Sequence, residues 1–128
     1  MKKLLLASLG SLFALFAHAA DPRATVVDKP MTELARLLQA RLPPLSVDGM
    51  VEAERESHGW NFSVRVKSDQ GGADEVQIIV RESSEQRSEL RVQGVHIDSN
   101  LLTSKRGVNA ALTAEWTDKI LKLVEKAE

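Results

Sequence analysis

The chain has 128 residues, 43% of them hydrophobic and 27% charged, with no cysteine and no tyrosine. Lack of cysteine excludes disulfides, thiolate metal sites, Cys nucleophiles and a lipid-modified N-terminal Cys. Two of the 17 basic residues, Lys2 and Lys3, fall in a candidate leader peptide; without them 15 basic residues face 18 acidic ones, a formal charge of −3 that offers no general attraction to nucleic acid or anionic lipid.

Lys2 and Lys3 are followed by an apolar stretch from Leu4 to Ala17 and by the small-x-small sequence Ala17-His18-Ala19. Charge, apolar stretch and cleavage site in that order read as a secretory signal peptide over residues 1–19. The apolar stretch is short of the roughly 20 residues that a spanning helix requires. The expected location is therefore the periplasm, with no transmembrane anchorage after cleavage. Ala20 to Lys29 is polar, carries Pro22 and reads as a flexible leader, in which Val26 and Val27 can add to a sheet edge. Residues 30–128 are read as a single domain.

From Pro30 the pattern turns helical. Met31, Leu34, Ala35, Leu38 and Leu42 share one face, Pro30 suits the first turn and Pro43-Pro44 ends the helix. The period then changes to two. Val47 to Ala53, Trp60 to Val66, Val76 to Val80 and Leu90 to Val92 alternate apolar and polar positions, each predicting a strand with one buried face. Ser57-His58-Gly59, Ser68 to Asp74 and Ser83 to Arg87 supply the turns between them. Leu112, Trp116, Ile120 and Leu123 mark a second helix over residues 112–128, with Thr113 as its expected N-cap. The expected fold is a two-layer α+β domain, a four-stranded antiparallel meander with N- and C-terminal helices packed on one face.

Cross-strand matching predicts registers. A His58-Gly59 loop sets Ala53 opposite Val64 and Glu52 opposite Arg65. A second loop centred on Gly71 sets Val66 opposite Val76. A third hairpin sets Val80 opposite Leu90, Ile78 opposite Val92 and Arg81 opposite Glu89. Beyond Gly94 the apolar residues Val95 and Ile97 change parity, which predicts a bulge or bend. Asp98 to Ala111 has no clear period, and Leu101 and Leu102 there suit a short helix or loop folding back on the core.

Chemistry-bearing residues are sparse. His58 reads as an exposed turn residue. His96, Asp98 and Ser99 are close in sequence, but strand neighbours point to alternate faces and Ser99 lacks a glycine-flanked elbow, so strand end and turn is the better reading. Asp69, Gly71, Gly72 and Asp74 form a solvated hairpin loop without the alternating acidic ligands of a calcium loop. Glu52 and Glu54 share a wet face with Arg65 and Lys67, which suits salt-bridged surface better than paired catalytic carboxylates. No metal site or cofactor is expected.

What remains is surface. The wet sheet face combines Met50 and Ile79 with Arg65, Arg81 and Arg91, residue types enriched at protein interfaces. The expectation is a small exported non-enzymatic protein–protein interaction module, of accessory, inhibitor or immunity type, whose partner is another periplasmic or envelope protein. Two alternatives stand beside it. One is a carrier of a small apolar ligand held between helices and sheet near Trp60, Phe62 and Trp116. The other is a small periplasmic hydrolase using His96.

Overall fold

The computed structural model describes residues 23–68, 73–99 and 104–126. The expected signal peptide, and Leu101 and Leu102, lie outside the described residues. The elements are β1 (Thr25–Val27), α1 (Met31–Arg41), a 3-10 turn (Pro43–Leu45), β2 (Val51–Glu56), β3 (Gly59–Val66), β4 (Ala73–Glu82), β5 (Ser88–Ser99), β6 (Ser104–Val108) and α2 (Ala110–Lys126). The fold is α+β, with one antiparallel sheet and an N-terminal and a C-terminal helix. The sheet has six strands rather than four.

The four expected strands lie in the order β2, β3, β4, β5. The two additional ones share the far edge of β5. β1 pairs with its N-terminal half, Thr25 opposite Leu90, and β6 with its C-terminal half, Val95 opposite Val108. β1 corrects the reading of residues 20–29 as a flexible leader: Thr25–Val27 adds to the sheet edge, the option that Val26 and Val27 left open. The buried Ser88 hydroxyl fixes its exit by donating to the Lys29 carbonyl at 2.7 Å. β6, Ser-Lys-Arg-Gly-Val, shows no apolar alternation at all; its place is set by pairing with β5.

Phe62, Val64, Val76, Ile78 and Val80 are fully buried on the covered sheet face, and Leu90 and Val92 nearly so. Leu34, Ala35 and Leu38 of α1 and Trp116, Ile120 and Val124 of α2 close over them as one core. Each fully buried side chain of this kind contributes about 1.5–3 kcal/mol relative to an exposed one. Trp116 is buried, whereas Trp60 is only half-buried and stacks on Phe62 with ring centroids 5.8 Å apart.

The third hairpin pairs as expected, with Val80 opposite Leu90, Ile78 opposite Val92 and Arg81 opposite Glu89. The other two are displaced by two residues. Val51 meets Val64 and Ala53 meets Phe62, while Val64 meets Val76 and Arg65 meets Glu75. A shift of two keeps every side chain on its expected face, because the strand period is two. The first displacement arises because the loop is Ser57-His58, and Gly59 already belongs to β3. A Cβ at position 59 would sit 2.3 Å from the Val80 carbonyl oxygen, so glycine is required there by close approach and not by a turn.

Gly94 has the same explanation. β5 runs through it without a bulge, with Val76 opposite. A Cβ at position 94 would fall 2.7 Å from the Leu112 side chain, so the glycine makes room for α2. Gly94 also anchors that helix. Its N–H donates to the Thr113 hydroxyl at 2.8 Å, and its carbonyl accepts the Asn109 N–H at 2.9 Å. These bonds lie between the stretches of β5 paired with β1 and with β6. The N-cap of α2 is accordingly Asn109, whose Oδ1 accepts the Leu112 N–H at 3.1 Å; Thr113 lies inside the helix and donates to the Asn109 carbonyl. Val95 changes parity because it is buried on the outer face of a straight strand, flanked in register by Glu75 and Val108.

Candidate functional site

The five residues singled out for binding fall on or beside the sheet face that carries no helix. Met50 and Arg65 come together around a groove of about 260 Å³ that also reaches Asp48, Glu52, Ser63 and Glu75. Met50 is 71% exposed. Ile79 and Arg91 are direct cross-strand partners. Arg81 is committed elsewhere: it pairs with Glu56 at 2.9 Å and donates to Asn61 Oδ1 at 3.2 Å. Arg91 donates to Gln93 at 3.2 Å, and Arg106 of β6 bridges to Glu75 at 2.9 Å. The face is therefore a mixed-charge surface with internal ties.

The margin of this face is built by the turn Ser46 to Met50. The Ser46 hydroxyl donates to Asp48 Oδ1 at 2.5 Å, and the Met50 N–H donates to the same oxygen at 3.0 Å. These two bonds, the Ser46 one first, hold the Asp48 carboxyl below its usual range; the nearby Arg65 charge acts in the same sense, against a smaller opposing effect of desolvation. The ordered turn displays two apolar side chains, Val47, 63% exposed, and Met50.

A second site lies on the helix-covered face, at the end of the sheet opposite Trp60. Here Asp74 and His96 are directly opposed on β4 and β5. The imidazole Nδ1–H donates to Asp74 Oδ1 at 2.5 Å, with the two side chains 26% and 8% exposed. Asp74 lines a cleft of about 460 Å³ whose apolar wall is Leu45, Val47, Val66, Ala111, Leu112 and Trp116. Lys67, Glu115 and Lys119 also line it, and Lys119 Nζ stands 4.5 Å from the Trp116 ring centroid. Chemically, an acid-oriented imidazole supplies two parts of a nucleophile–base–acid arrangement. Among the described residues no hydroxyl is recorded against His96.

This pair was missed because a bulge or bend was expected at Gly94 and Asp74 was assigned to the loop before β4. The signal was nonetheless present: the register that sets Val80 against Leu90 sets Asp74 against His96 when continued by six pairs. Asp74 is a strand residue, not a loop residue, while Asp69, Gly71 and Gly72 lie outside the described residues. Asp98 and Ser99 continue the β5 backbone beyond His96. His58 occupies its turn, exposed, with Nδ1 3.6 Å from Glu82 Oε1. Glu52 and Glu54 are exposed along β2, the outermost strand of the ladder, opposite Ser63 and Asn61. Phe62 is packed into the core, and the cleft reaches Trp116 but neither Trp60 nor Phe62. No protein-family model matches the sequence, and no curated protein or solved structure matches it either.

Proposed function

We propose that this chain is an exported, non-enzymatic protein–protein interaction module that works in the periplasm and meets an envelope protein through the uncovered face of its sheet. One observation carries the reading. Both helices pack on the same face, so the opposite face is left without a second layer among the described residues, and it holds a groove bordered by the exposed Met50 beside Arg65. A buried face supplies stability, and a solvent face freed from that duty can vary to suit a partner. Met and Arg are residue types that partner surfaces favour, Arg because its planar fork bonds bidentately and stacks. The export assignment rests on the Lys2 to Ala19 pattern.

The test is charge reversal at Arg65, Arg81 and Arg91 together, followed by affinity capture from periplasmic extract. Capture of the wild-type partner is expected to fall sharply. Thermal stability is expected to change little, because exposed ion pairs contribute about 0–1 kcal/mol each. Undiminished capture by a folded triple variant would remove the sheet face from consideration.

A further inference from the structure

The Asp74 carboxylate is poorly satisfied for its burial. Its side chain is 8% exposed and its Oδ1 is taken by His96, but among the described residues no donor is placed on Oδ2. A buried carboxylate oxygen without a donor is costly, and such oxygens are ordinarily met by protein, water or ligand. Asp74 stands on the helix-covered face and lines the cleft of about 460 Å³, within the range of about 300–1,000 Å³ typical of small-molecule sites.

The surroundings restrict what fits. Leu45, Val66 and Leu112 are half-buried where they border the cleft, so an apolar group placed there would complete their burial. Lys67 and Lys119 oppose a purely cationic guest, and Glu115 with Asp74 opposes a purely anionic one. Two cations and two anions around an apolar wall match a molecule carrying both charges and an apolar body. We propose that the cleft is a binding site for a small zwitterion of the apolar amino-acid type, its ammonium donating to Asp74 Oδ2, its side chain against Leu112 and Trp116, and its carboxylate toward Lys67 and Lys119. His96 acts as a positioning residue: its bond to Oδ1 fixes the carboxylate so that Oδ2 faces the guest. The site is separate from the outer sheet face, and its test does not depend on any protein partner.

Calorimetric titration of the whole mature protein with L-leucine tests the assignment. Two controls dissect it: 3-methylbutylamine lacks the carboxylate and 4-methylpentanoate lacks the ammonium. Leucine is expected to bind, and each control to bind at least about tenfold more weakly, the loss expected for one charge-assisted contact. Lys119→Gln, an exposed position that leaves the core intact, is expected to weaken leucine and not to weaken 3-methylbutylamine. Asp74→Asn, checked for an unchanged melt, is expected to weaken leucine and not to weaken 4-methylpentanoate. Absence of leucine binding up to about 10 mM, far weaker than small-molecule recognition at a built site, would overturn the proposal. Binding indifferent to Lys119→Gln would overturn it as well, even if Asp74→Asn fails to fold.

Discussion

The two faces of the sheet are made from the same strands yet solve different problems. On the covered face the cross-strand pairs are Phe62 with Ile78 and Ile78 with Val92, all buried under two helices. On the other face the neighbouring positions are Ser63 with Gln77 and Ile79 with Arg91, half-buried and tied by contacts such as Arg81 to Glu56. Area removed from water adds up on the first face. On the second, each tie exchanges water for a partner at nearly equal free energy. Stability thereby comes from one side of the sheet, and the other carries the surface proposed for recognition, with Asp74 and His96 as a polar pair at the end of the apolar side.

The sharpest way to break this comparison is Trp116→Ala. Trp116 is 5% exposed and sits in the core shared by both helices and the sheet. The substitution removes a large buried side chain and is expected to cost about 3–5 kcal/mol. Arg65→Ala on the other face is expected to stay within about 0.5 kcal/mol. Chemical denaturation of both variants measures the contrast. Similar midpoints would mean that α2 does not carry the core in the way its burial indicates.

A smaller effect is expected at Gly94, where the helix meets the strand. An alanine Cβ there would lie 2.7 Å from Leu112 Cβ and Cγ, and both atoms must yield. Overpacking of this kind costs about 1–3 kcal/mol. The cause is tested by the double variant: shortening Leu112 to alanine in the Gly94→Ala background should return part of the lost stability. If the two losses simply add, the conflict lies with the Leu112 Cβ, which alanine keeps, and not with the rest of that side chain.

That glycine also marks the limit of what periodicity reveals. Apolar alternation placed both helices and the four expected strands, because burial forces a period of two or 3.6 on the residues that do it; it erred at Val47, which lies exposed in the turn before β2, and at Ala53, which is exposed on that strand. It could not place β6, whose sequence carries no apolar alternation, or settle the pairing of β2 with β3, where a shift of two leaves the faces unchanged. Gly59 and Gly94 carried the remaining information. Both look like breaks in a one-dimensional pattern, and both are strand-interior positions where another part of the chain comes too close for a Cβ. Reading a bulge or bend at Gly94, and Asp74 as a loop residue, hid the pairing of His96 with Asp74. The outer-face residues were legible as a face, but their ties were not: the Arg106 bridge to Glu75 needs β6, which the pattern did not show.

The smallest expected effect lies at the turn where the chain passes from one face to the other. Leu45 borders the cleft on the covered side, and Met50 borders the groove on the open side. Between them the Ser46 hydroxyl and Met50 N–H hold the Asp48 carboxyl below its usual range. A carboxyl lowered by folding lends stability above its unfolded-state value, and that contribution is lost as pH falls through its folded-state value. Ser46→Ala removes the larger of the two hydrogen bonds, so the Asp48 titration midpoint should rise toward the ordinary carboxylate range. The wild type should be the more stable of the two at neutral pH, and the gap should close on the acid side as Asp48 becomes protonated in both. NMR titration of the Asp48 carboxyl reads the first effect, and melts across the acid range read the second. A midpoint that does not move in Ser46→Ala would assign the lowering to the Met50 N–H and Arg65 instead, and the turn would then be held from the open face alone.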